Sequence, residues 1–153
     1  MGMKMSINRF MTFTGKANEI VRSAIEDVYA EAGIYVVYSI RSGQMSNWDD
    51  DTGNLRSSIG WAVCRKGRIV RKSRFGVVLN GSDGAAKGIA LIERLASEYA
   101  HYDMALFIVA GEEYAVYVEA IDNKVVLAGG QLYIEKNITR RLKERISQAL
   151  RNI

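Results

Sequence analysis

Two stretches in the second half of the chain, ALFIVAG (Ala105–Gly111) and YAVYVEA (Tyr114–Ala120), are apolar on both faces that a strand would present. Strand side chains alternate between faces, so both sides of such a strand need cover, from helices of the same chain or from a partner. Gly111-Glu112-Glu113 joins the two stretches in a short turn, which predicts a hairpin. Lys124–Leu127 adds a short edge. Earlier, Ile59, Trp61 and Val63 alternate with Gly60, Ala62 and Cys64. One face of that strand is large and the other small, and a small face lets a helix approach closely. Lys66-Gly67 then predicts a hairpin turn into a second strand over Arg68–Leu79.

The covering helices are legible as stripes. Ala17, Ile20, Val21, Ala24, Ile25 and Val28 recur at three and four, which predicts a helix from Thr14 to about Ser39. Thr14 suits its N-cap, and Gly33 weakens its interior. Ala85–Ala100 carries Ile89, Ile92, Leu95, Ala96 and Tyr99 on one side and reads as a second helix. Ile134, Ile138, Leu142, Ile146 and Leu150 recur every four residues opposite Lys and Arg, an amphipathic C-terminal helix. Ser42–Asn54 and Asn80–Gly84 are loop chemistry. The expected fold is α+β: a mainly antiparallel sheet of four to five strands packed against an N-terminal helix, a middle helix and a long C-terminal helix.

With 153 residues and no proline, the chain reads as a single domain, residues 1–153. The Met-rich, non-periodic residues 1–13 are expected to be a loose N-terminal arm. One cysteine, Cys64, excludes an internal disulfide framework. One histidine, His101, leaves few ligands for zinc. The net charge of +4 is too small to imply nucleic acid by itself. No apolar run is long enough to span a membrane, and MGMKMSINRF has no secretory core. Gly2 and Ser6 match a short myristoylation pattern that glycine at position two also meets by chance. No cofactor and no metal are expected.

Asp49-Asp50-Asp51 is the first place to look for chemistry. A calcium loop starting at Asn47 would need glycine where Thr52 stands and a glutamate where Ser58 stands. Paired-carboxylate catalysis needs two groups at a fixed distance, which adjacent loop residues do not supply. Turn chemistry explains the residues: Asp51 accepting from nearby backbone N–H groups, Gly53 free to take a positive φ, Leu55 and Ile59 anchored in the core. NGSDGAAKG (Asn80–Gly88) lacks the Gly-Lys-Ser/Thr of a phosphate loop. His101 has no serine or cysteine nucleophile near it in sequence. The Asn137-Ile138-Thr139 sequon falls inside a predicted helix. The strongest charge feature is Arg65, Lys66, Arg68, Arg71, Lys72 and Arg74 on the first hairpin. Such a cluster can neutralise phosphates, although a solvated strand face is the commoner meaning, and no aromatic ladder for single strands is interleaved.

DTGNLRSSI (Asp51–Ile59), followed about fifty residues later by YAVYVE (Tyr114–Glu119), resembles the small tail-completion, or head–tail joining, proteins of long-tailed bacteriophages. Members of that family carry a turn of the type T-G-x-L-R-x-S-I before their first strand and a later strand reading Y-A-x-Y-V-E. A helix precedes the turn and another closes the chain, an order matched here over roughly residues 14–150. The motif positions are Asp51, Thr52, Gly53, Asn54, Leu55, Arg56, Ser58 and Ile59, then Tyr114, Ala115, Tyr117, Val118 and Glu119. Trp48-Asp49-Asp50 stands where members often have a proline, the middle helix is longer, and Ala120-Ile121-Asp122-Asn123 replaces a glycine.

The resemblance implies a non-enzymatic structural protein that forms a ring at the neck or tail end of the virion, made in the bacterial cytoplasm. Its partners would be copies of itself and neighbouring neck or tail proteins, with DNA contact as a weaker expectation and no membrane. Surplus apolar surface on a small domain points the same way, and identical copies are the default partner. The alternative is a small nucleic-acid-binding protein using Arg65–Arg74. A hydrolase using the aspartates is a third, weaker reading.

Overall fold

The computed structural model describes residues 3–6, 15–43, 52–111 and 128–152. These form an α+β fold. In chain order they comprise strand β1 (Met3–Ser6), helix α1 (Gly15–Arg41), the single-turn α2 (Asn54–Ser57), β2 (Ile59–Arg65), β3 (Arg68–Lys72), α3 (Ser82–Glu98), β4 (Ala105–Ala110) and α4 (Ala128–Arg151).

Strands β3, β2 and β4 lie side by side with β2 in the middle, every pairing antiparallel. Met3–Ser6 pairs along the other edge of β4, so the order is β1-β4-β2-β3. These four residues fall within the stretch 1–13 read from the sequence as an arm. An open edge of β4 would present unpaired N–H and C=O groups, and β1 satisfies them. Lys66 and Gly67 take φ of 50° and 85°, the paired positive values of a tight hairpin turn. The second strand ends at Lys72, short of the expected Leu79. A bulge at Val63/Cys64 shifts the register, and beyond Lys72 the chain leaves the sheet to run toward α3. The expected hairpin partner Tyr114–Ala120, the edge Lys124–Leu127 and the Thr14 cap lie outside the described residues.

Both faces of the sheet are covered, as apolar β4 requires. On one face Ile59, Trp61 and Val63 of β2, with Leu106 and Ile108 of β4, meet the α1 stripe and Ile134, Ile138 and Leu142 of α4. Ile146 and Leu150 extend that contact half-buried. Helices α1 and α4 run antiparallel. Glu31 takes both Arg141 and Arg145 at 2.8 Å, while one turn on Tyr35 stacks on Tyr133 at 4.5 Å between ring centres. On the other face Ala62 and Cys64 meet Ile92, Leu95 and Ala96 of α3. The small face of β2 is thus covered by a helix, as the large face is.

Candidate functional site

Within the described residues, the turn that carries the family-like motif is occupied with holding the fold. The Thr52 hydroxyl accepts from the Asn54 N–H at 3.2 Å. Gly53 sits at φ 84°, and a Cβ there would meet the Val78 carbonyl oxygen at 2.0 Å, so only glycine fits. The Asn54 side-chain oxygen accepts from the Gly84 N–H at 2.9 Å and thereby caps the first turn of α3. Leu55 packs against the main core and Ile59 is fully buried. The Ser58 hydroxyl donates to the Leu55 carbonyl at 2.6 Å, and the Ser58 carbonyl accepts from the Gly111 N–H at 3.0 Å. Arg56 lies half-exposed on α2. Asp49, Asp50 and Asp51, like Tyr114, Ala115, Tyr117, Val118 and Glu119, are outside the described residues. Among those described, no three His, Cys, Asp or Glu side chains gather as metal ligands.

Three residues that sequence reasoning passed over complete this node. The buried Ser57 hydroxyl accepts from the Val78 N–H at 2.8 Å. Ser73 accepts from the Trp61 N–H at 2.9 Å, extending the β2–β3 pairing by one step. Arg41, at the end of α1, donates to the Gly76 carbonyl at 2.6 Å and to that of Ile59 at 3.4 Å. The doubled serine after Arg56 was the available signal. Arg41 and Ser73 had none, because their partners lie 35 and 12 residues away.

The basic hairpin does not present its six cations together. Residues paired across antiparallel strands share a face, so Arg71, opposite Val63, projects to the α1 side, and Lys72, opposite Ala62, to the α3 side. Arg71 meets Asp27 at 3.0 Å, Arg65 meets Glu19 at 3.1 Å and Lys66 lies 3.8 Å from Asp103. Arg22 and Arg65 together hold the Glu19 carboxyl below its usual range. Arg68, Lys72 and Arg74 are exposed and have no carboxylate partner among the described residues.

Lys72 and Arg74 border a groove of about 260 Å³ between the 69–75 segment and α3. Ile69, Phe75 and Ile89 supply apolar lining, and Glu93 closes the rim from α3. On the opposite side of the sheet, α1 exposes Ile34, Tyr35 and Tyr38, the last at 65 %, and α4 exposes Leu132 at 51 %. These two apolar surfaces, one per face of the sheet, are the strongest candidates for contact with other molecules.

Cys64 and His101 do not form a reactive pair. Cys64 is buried against α3, and burial pushes its thiol up to about 11, which suppresses the nucleophilic thiolate. His101 is exposed and lies against Tyr102, 4.3 Å between ring centres. Asn137 of the sequon donates to the Tyr133 carbonyl within α4 at 2.9 Å. No helix among the described residues is long and apolar enough to cross a membrane. Comparison of the chain with known protein families, with curated proteins and with solved structures finds no match.

Proposed function

We propose that this chain is a non-enzymatic structural subunit of a phage or prophage particle. It acts in tail completion or head–tail joining and assembles as a ring through protein–protein contacts. The observation that carries the reading is the exposed strip Ile34, Tyr35 and Tyr38 along α1. Large apolar and aromatic side chains in contiguous exposure mark interaction surfaces, and tyrosine is enriched where partners dock. The motif turn supports the same reading: Thr52, Asn54, Ser57 and Ser58 direct their polar atoms at the chain's own backbone, as scaffold residues do.

The nucleic-acid reading has less to rest on. Three of the six hairpin cations are matched with carboxylates, and of the remaining three the register shift at Val63/Cys64 sends Arg68 to the face opposite Lys72, which leaves only Lys72 and Arg74 together. Phosphate binding grows with the number of cations brought to the backbone together, so free DNA binding is expected to be weak.

Deletion of the coding sequence from the source prophage tests the proposal. Electron microscopy of induced lysates is expected to show heads and tails that fail to join, or tails with aberrant ends, and a plasmid copy is expected to restore them. Normal, infectious particles formed without the chain would overturn it.

A further inference from the structure

We infer that the groove between β3 and α3 is a tyrosine-recognition site, and that its occupant is Tyr38 of a second copy of this chain. The inference rests on the reading of the chain as a self-assembling subunit and supplies the two surfaces that meet. Three features of the groove fit a phenol. Ile69, Phe75 and Ile89 offer an apolar lining to a ring, in a cavity of about 260 Å³. Lys72 and Arg74 stand at the rim without a carboxylate partner among the described residues, and such cations are drawn to the face of an aromatic ring. Glu93, also without an ion-pair partner among them, can accept the hydrogen bond that a buried phenol O–H must donate.

The chain carries the matching knob. Tyr38 is the most exposed of the large hydrophobic side chains on α1 among the described residues, at 65 %, with Ile34 one turn before it and Tyr35 braced against Tyr133. Ile34, Tyr35 and Tyr38 together expose on the order of 400 Å², the size of a functional patch on a monomer. That is about half of the ~800 Å² that each partner gives a standard interface, so the contact is weak in solution and strengthens when a template aligns the copies. Knob and groove lie on opposite faces of the sheet, α1 over Trp61 and α3 over Ala62. Two different surfaces docking in this way make a head-to-tail contact, which closes a ring when the rotation permits and cannot by itself stop at a symmetric pair.

Cross-linking of mixed single-cysteine chains tests this. In a Cys64→Ser background, one chain carries Ser42→Cys, one turn beyond Tyr38, and the other Ala90→Cys, beside Ile89; both positions are exposed. The two are mixed at about 100 µM, a concentration suited to weak association, and treated with a short bismaleimide. The Ser42→Cys chain is expected to link to the Ala90→Cys chain in preference to either like pair. Adding Tyr38→Ala to the first chain, or Lys72→Glu to the second, is expected to lower that yield about tenfold, as loss of an anchor does. Predominant linkage between two Ser42→Cys chains would reveal a face-to-face pair and overturn the proposal. Absence of any linkage, or linkage indifferent to Tyr38→Ala, would overturn it as well. These outcomes are independent of whether the chain is found in a virion, so the docking and the particle assignment fail separately.

Discussion

Gly33 shows how packing can reverse a propensity. Glycine in the middle of a helix costs about 1 kcal/mol relative to alanine, so Gly33→Ala would stabilise an isolated α1. In the fold, a Cβ at Gly33 would meet two Trp61 ring carbons at 2.7 Å and the Trp61 Cβ at 3.0 Å. Trp61 is buried and has nowhere to yield. Gly33→Ala is therefore expected to destabilise by about 1–3 kcal/mol, read as a lower urea midpoint; a raised midpoint would refute the contact. Asn54 makes the complementary case. Asn54→Ala removes the cap on Gly84 and should cost about 1 kcal/mol, while Asn54→Asp keeps an acceptor and should restore most of it. Equal losses in both variants would mean the cap is not what Asn54 supplies. Cys64 predicts a pH dependence. Its folded value of about 11 lies above the ordinary 9.0, so between these pH values the unfolded chain releases a proton that the folded chain keeps. Stability must then fall as pH rises from 9 to 11, by about 2–3 kcal/mol at most from this group. Burial raises Tyr29 in the same sense. Urea midpoints that stay level from pH 8.5 to 10.5 would contradict this.

At the scale of elements, the helices were legible because a single residue type at a fixed spacing defines each buried stripe. Ile134, Ile138 and Leu142 are 2–3 % exposed, and Ile146 and Leu150 lie half-buried, so the stripe loses depth toward the end of α4. Ile138→Ala is accordingly expected to cost about 2–4 kcal/mol and Leu150→Ala clearly less, measured by chemical denaturation; equal costs would place the end of α4 deeper than described. The strand β2 was legible from its alternation, and a helix covers its small face as well as its large one. How the basic hairpin distributes its cations was not legible. Its bulge is not encoded in any local pattern, and Glu19 and Asp27 reach Arg65 and Arg71 from 46 and 44 residues away. Likewise α2 was read only as a turn, because its four residues gain their order from α3 and the 76–81 segment rather than from helix propensity.

For the whole molecule, the arrangement that matters is two helical layers on a sheet, with an exposed apolar strip on α1 and, on the other face, an apolar groove between the 69–75 segment and α3. The motif turn lies at the junction where α1, β2, the 76–81 segment and α3 meet, tied by Arg41, Asn54, Ser57 and Ser58. The central claim is that this chain is a component of a particle. Mass spectrometry of density-purified particles from an induced culture of the source strain tests it most directly. The account predicts peptides of this chain copurifying at about a few to a dozen copies per particle, the range a single ring would give. Complete particles that lack the chain would contradict it.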